Sequence, residues 1–172
     1  IMPSLVGSEM CIRDSGGNEI GLFLSKYILG ILILFIGFAC QLIFTILSSK
    51  YYHTSINHNE LILFVVAMLL GSGTMLLIQL LLSFVIESPI IPIVIGLAGS
   101  FLSMLTSGLL SKQITIFIPW EYLSTLNPYT INDSGIHPLT NYQFYFSLVL
   151  IIHLLLLIIS IWLVFKERII HE

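Results

Sequence analysis

Nothing constrains this chain more than its apolar stretches, each long enough for the roughly 20 residues a helix needs to cross a hydrocarbon core. The first is "YILGILILFIGFACQLIFTIL", residues 27–47. A second and third share the run 61–110, and the fourth is "FYFSLVLIIHLLLLIISIWLVF", 144–165. None alternates apolar with polar, and an open sheet edge in lipid would leave backbone groups unpaired, so the segments are helices. Hydrophobic residues make up 57% of the chain and charged residues 9%. A soluble domain carries roughly 25% charged residues, so there is too little polar surface here to face water. The net charge of -3 offers no basic field, which excludes nucleic acid as a partner. The composition is that of a multi-pass membrane protein.

The run 61–110 holds about twice the length of one span and divides at "VIESPIIP". Glu87 is ionisable, Pro89 and Pro92 interrupt helical bonding, and Ser88 is a capping residue. A charged side chain costs on the order of 2.5–3.5 kcal/mol at the centre of a span and much less at its edge, so Glu87 marks a tight hairpin. The expected fold is all-α: four transmembrane helices at 27–47, 61–86, 90–110 and 144–165. Lys26, Glu87 and the terminal "KERIIHE" fall on one side of such a bundle. Lys26, Lys166 and Arg168 outnumber Lys50 and Lys112 on the other, which places the C-terminus in the cytoplasm.

Between the third and fourth spans lies "TIFIPWEYLSTLNPYTIND". Trp and Tyr suit the membrane boundary, where an apolar ring can keep its N–H or O–H in water. Pro119 starts a short helix with Trp120 and Glu121 in its first turn, and Pro128 ends it. The reading is a two-turn interfacial helix lying across the outer surface, with Pro119, Trp120, Glu121 and Tyr122 as candidate contacts for a ligand there.

Catalytic signatures are missing from the sequence. "GSGT" at 71–74 sits mid-span with no Gly-Lys-Ser/Thr after it, so the chain does not bind and hydrolyse ATP by itself. His53, His58 and His137 share the outer loops with Glu60 and Asp133, but at no metal-ligand spacing. Cys40 sits in an apolar run as a small packing residue. Small residues trace helix-packing stripes: Gly96, Gly99, Ser100, Ser103 and Ser107 in the third span, Ser72, Gln79 and Ser83 in the second, and Gly30, Gly37, Gln41 and Thr45 in the first. His153, deep in the last span without a carboxylate in any span, reads as a hydrogen-bonded packing residue.

The opening "IMPSLVGSEMCIRDS" resembles a translated sequencing-adaptor tract, so residues 1–16 are expected to be non-native and 17–172 to form the permease domain. "NEIGLFLSKYILGILIL" resembles the segment of type-2 ABC exporter permeases where a cytoplasmic elbow enters the third transmembrane helix. "FIPWEY" and "LNPY" are similar to the Pro-Trp stretch of lantibiotic-immunity permeases, bacterial membrane subunits that expel antimicrobial peptides. The resemblance implies a fragment of a six-helix permease whose first two helices are missing. It also implies a second permease subunit, and a separate cytoplasmic ATPase that carries the ATP and magnesium. Glu19, Ser25 and Lys26 would remain from the element that couples to that ATPase. The chain itself would bind no cofactor and catalyse no reaction. The alternative is an integral membrane scaffold or sensor subunit that transports nothing.

Overall fold

The structure, a computed structural model, describes residues 19–53, 57–86, 88–106, 109–132, 135–138 and 141–171. The expected non-native residues 1–16, and Glu87, Ser107 and Asp133, lie outside the described residues; so do the side chains of Glu19, His58 and His137.

Helix α1 runs Glu19–Tyr51, α2 His58–Val85 and α3 Ile90–Thr106. A one-turn α4, Lys112–Thr115, leads to a 3-10 turn, Pro119–Glu121, which runs directly into α5, Tyr122–Thr125. An antiparallel hairpin follows, β1 Tyr129–Asn132 with β2 Gly135–Pro138, in the register Tyr129 opposite Pro138. The last helix, α6, is Tyr142–His171.

Local chemistry accounts for the ends. The Asn57 side chain accepts from the Asn59 N–H while its amide donates to Glu60 Oε1 at 3.0 Å, so the start of α2 is capped. Ile86 turns extended after Val85, and the Pro89 that follows cannot continue a helix. Pro92 falls in the first turn of α3, where a missing N–H costs nothing. Asn141 takes a positive φ of 63° before α6, a conformation Asn tolerates better than most residues, and its carbonyl accepts from the Phe144 N–H. Asn141→Ala is therefore expected to lower stability by about 1–2 kcal/mol and Asn141→Gly by much less, read from unfolding in mixed micelles.

Three helices are long and apolar enough to cross a membrane: Ile20–Tyr51, Asn59–Val85 and Tyr142–Lys166. All three overrun the expected limits 27–47, 61–86 and 144–165 at one end or both, because polar and aromatic flanks continue the helical hydrogen bonding. The expected third span, 90–110, instead stops at Thr106. Its 17 residues reach about 26 Å, short of a full hydrocarbon core.

Helix α2 is the hub, touching α1, α3, α6, the 3-10 turn and α5. Two apolar clusters flank it. One joins Ala67, Ile116, Tyr122, Leu126 and Val149. The other joins Phe23, Tyr27, Leu77 and Val164, with the Phe23 and Phe84 rings edge to face at 6.3 Å. Away from the hub, α3 exposes Ile93, Leu97, Phe101 and Met104 on one face. Lys166 lies 5.3 Å from the Trp162 ring near the end of the last apolar window, an amphipathic pairing suited to a membrane edge.

Candidate functional site

The segment after α3 folds back into the bundle. Each of its short turns closes on itself: Ile118 N–H donates to Thr115 O, Glu121 N–H to Ile118 O, and Leu126 N–H to Tyr122 O. This local closure is what lets irregular backbone sit among apolar helices. Thr125 Oγ1 donates to Thr115 Oγ1 at 2.8 Å and ties α5 to α4. Glycines provide the seats. A Cβ at Gly99 would fall inside the Trp120 indole, so only a bare Cα lets the ring lie on α3. At Gly71 a Cβ would stand 3.4 Å from Leu126 Cδ1 and 3.6 Å from the Tyr122 carbonyl carbon, so α5 rests on α2 at van der Waals distance. Ser103 Oγ donates to the Trp120 carbonyl at 2.9 Å, and Thr106 Oγ1 donates to Glu121 Oε1.

The result is an inward-packed wedge where a helix across the outer surface was expected. Glu121 is 0% exposed, Tyr122 2% and Leu126 0%. Gly71 lies about 20 Å along the 28-residue α2 from its start, so the wedge reaches roughly the helix midpoint. Trp120 and Tyr122 are thus packing residues in this state, and Phe117, 83% exposed, presents the open aromatic ring of the segment.

Above the wedge, the Tyr129 hydroxyl hydrogen-bonds Glu60 at the start of α2. That bond is the main reason the phenol's pKa is raised, with desolvation and the negative charge adding to it. The contribution to folding is present below the ordinary tyrosine pKa and is lost as pH rises through the raised value. The phenolate absorbance assigned to Tyr129, by difference from Tyr129→Phe, should appear at higher pH than in free tyrosine. In Glu60→Gln it should return toward the ordinary value.

A second polar group sits where α1, α2 and α6 meet. Tyr27 Oη lies 3.0 Å from His153 Nε2, and Thr74 Oγ1 lies 3.0 Å from His153 Nδ1. Thr74 commits its proton to Leu70 O at 2.7 Å, so its oxygen accepts from Nδ1–H, and Nε2 accepts from the Tyr27 hydroxyl. His153 is thereby satisfied at both nitrogens. Tyr27→Phe leaves Nε2 without a donor; a loss of about 0.6–1.7 kcal/mol is expected in micelle unfolding, the range of interhelical hydrogen bonds in lipid.

The remaining sequence candidates separate. Gly96 meets the Gln79 carboxamide, so the α3 stripe does permit close approach to α2 there. Ser100 Oγ turns back to Gly96 O on the exposed side. Pro119 opens the 3-10 turn. At the start of α1, Ser25 and Lys26 are exposed, and Ser25 Oγ donates to Leu22 O. Gly37 has nothing within 4 Å, and Gln41 and Cys40 on the same half of α1 are exposed. Among the described residues, no three His, Cys, Asp or Glu side chains group as metal ligands would.

Sequence reasoning missed the burial of Glu121. Its signal was the apolar setting of "FIPWEYL", in which Glu121 is the one charged residue. Comparison with protein-family models, curated proteins and solved structures finds no match for this chain.

Proposed function

We propose that this chain is a membrane-spanning permease subunit of an ABC exporter. It would expel antimicrobial peptides of the lantibiotic kind, with ATP hydrolysed by a separate cytoplasmic subunit. The reading rests on the order of elements together with the sequence resemblance. An entry helix carries an exposed Ser25-Lys26 near its start, a hairpin joins α2 to α3, a Pro-Trp segment returns to the bundle, and a last long helix carries a basic end. In this reading α3 is the third of four crossings, completed on its outer side by the wedge, and the permease works as a homo- or heterodimer in the bacterial cell membrane with its C-terminus in the cytoplasm. The exposed Phe117 of the segment is the first ring that an amphipathic peptide entering from the outer leaflet meets.

The test is co-expression of the full-length protein with the ATPase of its own locus. Co-purification and peptide-stimulated ATP hydrolysis are expected. A protein that purifies alone and leaves the ATPase rate unchanged would refute the exporter reading.

A further inference from the structure

We propose that Glu121 and the C-terminal turn of α3 form a binding site for a monovalent cation. This goes beyond the exporter reading and does not depend on it.

The case begins with an imbalance between donors and acceptors. Thr106 Oγ1 has one proton and three acceptors in reach: the Leu102 carbonyl at 2.9 Å, the Ser103 carbonyl at 3.4 Å, and Glu121 Oε1. Glu121 Oε2 is buried and has no hydrogen-bond partner among the described residues. The carboxyl group is 0% exposed, so water does not make up the difference from an open surface. Among the described residues, the two carboxylate oxygens and the Thr106 hydroxyl at the end of α3 therefore have a single side-chain proton among them.

The fold adds to this negative character. The last turn of a helix carries the negative end of its dipole, and a carboxylate placed against it is repelled rather than stabilised. Glu121 is held there by the Thr106 hydroxyl, on the last residue of α3. A cation between the carboxylate and the helix end satisfies both. Broken helices in transporters use this arrangement, with C-terminal helix ends and freed carbonyls coordinating small cations. Buried charges are retained where they are paired, and ionisable groups at membrane depth mark ion sites. One carboxylate carries one negative charge, so a monovalent ion leaves the site neutral. Hard oxygen donors suit an alkali ion, and the same geometry accepts a primary ammonium.

The wedge contains its own reporter, since Trp120 adjoins Glu121 in the same turn and the only other tryptophan is Trp162. The experiment uses the full chain carrying Trp162→Phe, purified in detergent and brought to constant ionic strength with choline chloride. Trp120 emission is followed as Na+, K+ or methylammonium replaces choline. A saturable change with an alkali ion is expected, with its midpoint raised at least tenfold in Glu121→Gln. Saturation with methylammonium alone would also support the site and would name an amine as its ligand. No saturable response to any of the three, or an unchanged midpoint in a folded Glu121→Gln, overturns the proposal. If Glu121→Gln does not fold by near-ultraviolet circular dichroism, Thr106→Val decides in its place. It keeps the carboxylate and removes one oxygen, so a raised midpoint supports the site and an unchanged one refutes it.

Discussion

Gly99→Leu is expected to expel Trp120 from α3 and to undo the wedge. A single added methyl group already falls inside the indole ring of Trp120, whose backbone carbonyl is pinned by the Ser103 hydroxyl, so the ring has little freedom to move aside. Overpacking a tight interior costs about 1–3 kcal/mol for a small insertion, and a branched side chain belongs at the top of that range or above it. Two readouts should move together: Trp120 emission shifts to the red as the ring leaves its apolar seat, and the midpoint of unfolding in mixed micelles falls. Gly99→Ala gives the same shifts at lower amplitude. The matching change at Gly37, which has no neighbour within 4 Å, leaves both readouts unchanged, because the added methyl meets open space.

Leu126→Ala is the second large effect. Leu126 is wholly buried in a cluster with Ala67 on α2 and Val149 on α6, so it joins the wedge to both helices at once. Truncating a buried leucine costs about 2–5 kcal/mol, of which one part is transfer from water and another is the cavity left behind. Between helices in lipid the transfer part is small, because acyl chains are as apolar as leucine, so the cavity part dominates. The expected loss lies in the lower half of the range, measured by micelle unfolding against Leu123→Ala. Leu123 is 43% exposed, and its truncation should stay within about 0.5 kcal/mol. Equal losses at the two positions would mean that the wedge is not seated on α2 as described.

The long helices were legible because membrane length and uniform apolarity need no tertiary information. Pro119 marked a helical start correctly for the same local reason. Depth was another matter. Whether "PWEYL" lies on a surface or inside a bundle depends on Gly71 and Gly99, some 50 and 20 residues away, which look in sequence like any packing glycine. The span expected at 90–110 was too long because hydropathy does not sense where α3 yields to the wedge. His153 read correctly as a bonded packing residue, yet its partners Thr74 and Tyr27 stand 79 and 126 positions away and share no motif with it. The hairpin at 129–138 escaped because two four-residue strands fall below any periodic signal.

The hub position of α2 sets a timetable for biogenesis. Its partners Val149, His153 and Val164 all belong to α6, which leaves the ribosome after the wedge. Until α6 inserts, Thr74 has no imidazole beside it and Leu126 lacks one wall of its cluster. The wedge, with its buried carboxyl group, therefore waits about 20 residues of synthesis, plus the insertion of a whole helix, before it can dock. A nascent chain stalled before α6 should expose Glu121 to labelling by a water-soluble carbodiimide, and completing that helix should close it off.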